Sequence, residues 1–312
     1  MRLLVLGSLV PQTARTVWAL LAAGHEIDQL WIGENASGVW RRRDRRLRWL
    51  APTWSIEAAT RRCGFRVRRV GPLQYDPALV ADGCRPNVDA MLASCFPYLV
   101  PPSMLAFYAG RACNLHPALL PRYRGPAPMS AMVFDESLDA SGVTLHLMAA
   151  KADAGDIIAQ EPVPWPADGY YRTWEADLAD ECGRLAVNSL PRFLAGGMTP
   201  TPQHRQGRCI RRLSPHQWTV DAHMDERRAR WLLGSLGRVA PLSVPTPNGP
   251  KKVCRVLSAQ AAATGRPPRV TLQRVECDVA DARLSLLRWG RWQRSTDRLR
   301  ELATLARRPL AA

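Results

Sequence analysis

Lysine is almost missing from this chain. Only Lys151, Lys251 and Lys252 stand among 43 basic residues, the others being arginine, against 27 acidic ones. A net charge of +16 ordinarily points to a polyanion such as RNA or to a phosphate-bearing substrate. So strong an arginine skew also follows from GC-rich coding, and the charge by itself selects no function. Paired cysteines are missing as well: the eight are scattered singly with no C-x-x-C, which places the protein in the cytoplasm with reduced thiols. Long apolar runs are absent, and residues 1–7 are too short for a signal peptide or a membrane span, so they read as a first strand. No G-x-G-x-x-G follows that strand, since Gly7 stands alone, which argues against a dinucleotide site. There is no G-x-S-x-G, and the histidines lack metal-ligand spacing, so neither a serine-hydrolase elbow nor a metal set is expected. No repeat or low-complexity tract occurs.

What is present alternates. The chain has 312 residues and is 46% hydrophobic, enough for one large core or two, and two are preferred. Strand 3–6, helix 11–23 and strand 27–32 form a β-α-β opening that implies a parallel sheet. Helix 52–63, strand 65–70, helix 77–84, strand 88–93 and helix 104–110 continue the α/β signature. Between them, Glu34 to Leu50 leaves the pattern with Arg41, Arg42, Arg43, Arg45, Arg46 and Arg48, flanked by Trp40 and Trp49. That stretch reads either as a solvated charged helix or as an acceptor-binding loop, where guanidinium forks match phosphate and tryptophan stacks. Strands 143–148 and 157–163 come next, and helix 173–193, apolar at Trp174, Leu178, Leu185 and Leu190, closes a first domain of residues 1–197. Ala195-Gly196-Gly197 and the Pro-rich 199–202 punctuate like a linker. Residues 198–312 hold a helix at 225–236, short strands at 252–257, 269–275 and 282–287, and a basic helix at 296–307.

The stretch that carries chemistry is Cys113 to Gly125, CNLHPALLPRYRG. Pro117 cannot donate to a sheet ladder, so the strand should stop at His116. Side chains alternate along a strand, which puts Asn114 and His116 on one side and Leu115 on the other. Open α/β sheets place their ligand crevice at such a carboxyl end. Lys151-Ala-Asp-Ala-Gly-Asp-Ile157 brings a third polar group, Asp153, in a turn-rich loop. Arg122, Tyr123 and Arg124 are candidates to face the crevice, and His146, inside a strand, reads as a core histidine.

Asn-x-His-Pro followed by LLPRYRG, then GVTLHLM and DAGDIIAQ, resembles the folate-dependent formyltransferases, the family of methionyl-tRNA formyltransferase and the sugar N-formyltransferases. The resemblance is dense over 91–161, weaker over 1–90, and past 197 rests on chain length and a β-rich tail. It implies an α/β, formyltransferase-type open and mostly parallel sheet with flanking helices, plus a smaller C-terminal β-rich, OB-like domain. It implies 10-formyltetrahydrofolate as formyl donor and Asn114, His116 and Asp153 as catalytic residues. Asn114 would hold the carbonyl oxygen as it turns negative, and His116 would move a proton or, when charged, donate to that oxygen. Asp153 would orient His116, raise its pKa and anchor a relaying water. The folate ring would be gripped by Phe96, Pro97, Tyr98, Leu99 and Val100, with Gly155 and Asp156 beside it. One departure matters: the Gln-Pro-Asp and Gly-Arg-Gly sequences usual in the tRNA enzymes are absent, and Glu34-Asn35 stands there instead. The preferred acceptor is therefore the primary amine of a small molecule, such as a nucleotide-linked amino sugar or a natural-product intermediate. The alternative is initiator methionyl-tRNA, and behind both stand a folate hydrolase releasing formate and a non-enzymatic RNA binder.

Overall fold

The computed structural model describes residues 1–33, 38–203, 209–211 and 213–310, with the side chains of 38–40 left aside. Glu34, Asn35 and the Trp40 side chain, singled out in the sequence, lie outside the described residues. The chain opens with β1 (Arg2–Gly7), α1 (Pro11–Ala22) and β2 (Glu26–Gly33). Pro11 sits in the first turn of α1, where its missing N–H costs nothing. The arginine-rich stretch is a helix, α2 (Gly38–Leu50), rather than a loop. Helix α3 (Ile56–Cys63) follows, its free N-terminal amides satisfied by the Ser55 hydroxyl and by Asp44, which accepts from Ile56 N–H at 2.8 Å and Glu57 N–H at 3.1 Å. Then come β3 (Arg66–Val70), α4 (Pro77–Gly83), β4 (Ala90–Ser94), α5 (Pro102–Phe107), β5 (Ala112–His116), α6 (Pro128–Asp135), β6 (Gly142–Leu147) and β7 (Ile157–Pro162). The helix expected as one piece over 173–193 is two, α7 (Tyr171–Asn188) and α8 (Leu190–Leu194). Pro191 lacks an N–H and its ring collides with the carbonyl four residues back, which ends α7.

The first sheet runs β3-β2-β1-β4-β5-β6-β7, parallel through β5 and antiparallel at β6 and β7. Its all-apolar central strands bury both faces, as parallel strands must. Leu3, Val5, Leu92 and Leu115 pack with Val17 and Leu20 of α1 and Trp174 and Leu178 of α7. Leu4, Leu6, Trp31 and Met91 pack with Val80 of α4 and Met104 of α5. Each such fully buried side chain contributes about 1.5–3 kcal/mol.

The remaining elements are α9 (Glu226–Ser235), β8 (Leu242–Val244), β9 (Lys251–Ala261), β10 (Arg269–Val270), β11 (Arg274–Asp278), β12 (Ala282–Arg288) and α10 (Arg291–Ala306). The strands form one antiparallel sheet, β10-β11-β12-β9-β8, the smaller β-rich unit. The run 269–275 breaks into two strands, β8 is too short to show an alternation, and α10 starts five residues before the expected 296. Helix α9 docks on α6: Trp231 Nε1 donates to the Val133 carbonyl at 2.7 Å and Arg227 pairs with Glu136 at 2.5 Å. At the far end Arg308 pairs with Asp177 of α7 at 2.6 Å. Among the described residues no helix is long and apolar enough to cross a membrane.

Candidate active site

The end of β5 lies between the end of parallel β4 and antiparallel β6, and this pairing assembles the site. Asn114 stands opposite His146 in register, so the two side chains share a face. Asn114 Nδ2 lies 3.0 Å from His146 Nε2 and donates to Asp153 Oδ1 at 3.2 Å. Asp153 Oδ2 is 3.6 Å from His116 Nδ1 and accepts from Gly125 N–H at 2.8 Å. The three residues expected from the sequence to act together thus meet within hydrogen-bonding and ion-pairing distance, joined by a fourth, His146. His146 is 1% exposed and therefore buried, but it touches the polar cluster rather than only the apolar core.

The surroundings determine which ring nitrogens are open. His116 Nε2–H donates to the Tyr123 carbonyl at 2.8 Å, leaving Nδ1 toward Asp153. His146 Nδ1–H donates to the Leu147 carbonyl at 2.7 Å, so its Nε2 accepts from the Asn114 amide. Both amide hydrogens of Asn114 are thereby engaged, and the amide reaches a new oxygen acceptor by releasing one of them. The bond to Asp153 is the longer.

Burial alone would raise the Asp153 carboxyl, but the His116 and His146 rings and the Gly125 N–H outweigh it and hold it well below the usual carboxylate range. For His116 the balance falls the other way. Burial pushes its pKa below the ordinary value, over the opposing pull of Asp153 and of the Tyr123 carbonyl. The expected rise of the His116 pKa is therefore corrected: proximity to Asp153 acts in the expected sense, but an imidazole that is 4% exposed loses more by desolvation.

The Asp153 loop is braced from several sides. Asp153 itself sits at φ 50°, in the left-handed region, which a non-glycine residue occupies at a cost that its surroundings must offset. Arg124, 2% exposed, donates to the Ala152 carbonyl at 2.8 and 3.2 Å, so it supports the loop from beneath instead of facing a ligand. Arg122 pairs with Asp139 at the surface, and the Tyr123 hydroxyl donates to Asp135 at 3.2 Å. Gln203 Nε2 bridges the carbonyls of Asp153 and Gly155 at 3.1 and 2.6 Å. A Cβ on Gly155 would lie 1.9 Å from the Leu147 carbonyl oxygen, so the loop lies against β6 only because that residue has none. Asp156 joins the same turn through its carbonyl, which accepts from Leu147 N–H at 2.9 Å.

Phe96 to Val100 cross the carboxyl ends of β4 and β2. The Pro97 ring occupies the space a Gly33 side chain would need, 2.3 Å from an ideal Cβ. Phe96 and Tyr98 meet edge to face at 5.6 Å, Val100 is buried, and Leu99 is 62% exposed. Among the described residues, no backbone N–H or carbonyl of Phe96 to Val100 has a backbone hydrogen-bond partner outside regular elements, and Leu99 offers apolar surface. In α2, Arg43 pairs with Glu301 at 2.5 Å and Arg48 pairs with Glu57, whereas Arg41, Arg42 and Arg45 line a cavity of about 680 Å³ with Leu9 and Ile32.

His146 and Gln203 were not singled out from the sequence as site residues. His146 was visible only as a polar residue in an apolar strand, and nothing local marks Gln203.

Residues 51–188 match the family described as formyl transferase. Methionyl-tRNA formyltransferase of Roseiflexus castenholzii is 30% identical over 167 residues, 53% of this chain and 53% of that protein. That of Listeria monocytogenes serovar 1/2a is 36% identical over 117 residues, 38% of this chain and 37% of that protein. The chain thus spans about half the length, or less, of these curated relatives. Among solved structures, the sugar 3N-formyl transferase WlaRD covers 93% of this chain and 98% of its own, with a TM-score of 0.63 at 12% identity. The N-formyltransferase of Helicobacter canadensis covers 92% and 99%, with a TM-score of 0.61 at 12% identity. HypX of Aquifex aeolicus covers 91% of this chain and 43% of its own, with a TM-score of 0.57 at 19% identity. At such identities these structures establish the fold.

Proposed function

We propose, from the match of residues 51–188 to the formyl transferase family, an enzyme that moves a formyl group from 10-formyltetrahydrofolate to the primary amine of a small acceptor, such as a nucleotide-linked amino sugar. The observation that carries this reading is the meeting of Asn114, His116 and Asp153, with contacts of 3.2 and 3.6 Å, at a strand's carboxyl end. The donor supplies an activated formyl carbon. A new carbon–nitrogen bond to the acceptor forms, the bond to the donor nitrogen breaks, and one proton passes from the acceptor amine to the donor nitrogen.

The side chains divide this work. Asn114 turns one amide hydrogen, now on Asp153, toward the oxygen that gains charge. His116, with Nε2 tied to Tyr123, handles the proton through Nδ1. Asp153 stays ionised and stabilises the imidazolium whenever it forms. The loop from Phe96 to Val100 holds the flat ring of the donor with its backbone groups and with Leu99, and Gly155 and Asp156 close the turn beside it.

Two structural neighbours support the small acceptor. WlaRD was determined in the presence of dTDP and 5-N-formyl-THF, and the Helicobacter canadensis enzyme in complex with folinic acid and dTDP-3-aminofucose. Methionyl-tRNA is the second reading, favoured by the names of the sequence relatives and by the +16 charge. Mass spectrometry of candidate amines after incubation with enzyme and 10-formyltetrahydrofolate decides between them. Formylated amino-sugar nucleotide is expected; formylated methionyl-tRNA alone, with steeply salt-sensitive binding, establishes the second reading. Formate released at the same rate without any amine identifies a hydrolase and removes both.

A further inference from the structure

Helix α10 packs against α2 and α7, and near this junction lies a cavity of about 170 Å³ walled mainly by arginine. Seven guanidinium groups line it against two carboxylates, Asp297 and Glu301. Both carboxylates are engaged: Glu301 with Arg43 at 2.5 Å and Arg172 at 3.7 Å, Asp297 with Arg238 at 3.8 Å; Glu175, outside the lining, also pairs with Arg172 at 2.5 Å and Arg43 at 3.6 Å. The remaining four arginines come as two pairs, each one helical turn apart, Arg42 with Arg46 on α2 and Arg294 with Arg298 on α10. Among the described residues none of these four has a carboxylate within ion-pairing distance. Like charges at that helical spacing destabilise their helix, and here two such pairs border one opening. Trp289 lines the same cavity, and its indole N–H is out of solvent with no acceptor among the described residues. Arg294 stacks over the Trp289 ring at 5.3 Å and Arg298 acts on Glu301 from beyond ion-pairing distance, so the guanidiniums are held close together around a buried donor that has no partner, an arrangement that suits an anion.

We propose that this junction is a binding site for a small phosphate-type anion, a phosphate or diphosphate group, that bridges the C-terminal helix to α2 and the start of α7. The chemistry selects phosphate because guanidinium forks pair with it bidentately from several directions. The size selects a group and not a whole nucleotide, since pockets for drug-sized ligands run to about 300–1,000 Å³. The cavity shares no lining residue with the Asn114, His116 and Asp153 cluster proposed for formyl transfer. Helix α7 covers the sheet face of Leu92 and Leu115, whereas Asn114 follows Ala112 on the face of α4 and α5. The proposal does not rest on the formyltransferase reading.

The test is thermal unfolding of the full chain at fixed ionic strength, titrated with diphosphate, phosphate or chloride. A saturable rise of Tm with diphosphate, a smaller one with phosphate and none with chloride is expected. Arg298→Gln and Arg46→Gln should each weaken the apparent affinity at least tenfold, and Arg69→Gln, on a different cavity, should leave it unchanged. Arg46→Glu should melt higher than the parent without anion and lose the response. Equal effects of all three salts, or an unchanged response in Arg298→Gln, would overturn the proposal. Binding of a short RNA without any response to diphosphate would do the same. The parent titration alone decides the matter if a variant does not fold.

Discussion

Asp153→Asn isolates the charge at the centre of the proposed chemistry. Asparagine has the same shape, and its carbonyl oxygen still accepts from Gly125 N–H, the 2.8 Å bond that holds the loop, while its amide nitrogen replaces the oxygen that accepts from Asn114 at 3.2 Å, so that one weaker bond is lost with the charge. Exchanging a charge-assisted hydrogen bond for a neutral one shifts stability by about 2 kcal/mol or less, and the variant should fold. What disappears is the attraction between the carboxylate and a charged His116 ring 3.6 Å away. At an effective dielectric of about 20 that attraction is about 4.6 kcal/mol. If the rate-limiting step forms the imidazolium, the loss corresponds to about three decades in kcat, at about 1.4 kcal/mol per decade. The His116 pKa, already lowered by burial, should fall further, so any limb of the pH–rate profile that reports it moves to lower pH. The assay is spectrophotometric release of tetrahydrofolate from 10-formyltetrahydrofolate with a saturating amine, beside a thermal melt. A variant that melts like the parent and keeps kcat within tenfold refutes the assignment of Asp153.

Asn114→Ala should lose on the order of a hundredfold to a thousandfold in kcat with little change in the amine KM, the usual result of removing one oxyanion donor; a loss confined to KM would place Asn114 in ground-state binding. Gly155→Ala should unfold the Asp153 loop or the whole chain, because its Cβ would lie 1.9 Å from the Leu147 carbonyl oxygen; recovery of a folded, active variant would show that the loop does not need this close approach. Stability should also depend on pH in two windows. The folded-state pKa of His116 is depressed, so its contribution is present above about 6.5 and is lost as pH falls from there toward the folded value. The Asp153 pKa is depressed too, so its contribution is present above about 4 and is lost as pH falls below that. Urea unfolding across pH should show a larger upper step in the parent than in His116→Asn, where His25, also depressed by burial, still contributes; an upper step of equal size in the variant assigns it to another group.

Much of the architecture was legible from local pattern. Continuous apolar runs at β1 and β4 have to be buried on both faces, which requires a sheet covered by helices on both sides. Pro117 marks the end of β5, and alternation alone puts Asn114 and His116 on one side. Short local signals failed where several residues had to agree: the three residues of β8 are too few to show a period, and Pro191 was outweighed by the helical pattern around it.

The sequence by itself determined the order of elements and the residue types at the end of β5, because these depend on spacing along the chain. Tertiary structure alone decided that His146 would stand opposite Asn114 and that Gln203, from beyond the first sheet, would clasp the Asp153 loop, because strand register and long-range hydrogen bonds leave no local trace. It also decided the direction of the His116 pKa. Charge partners can be guessed from composition, but the desolvation that outweighs them comes from how much of the molecule is packed around the ring.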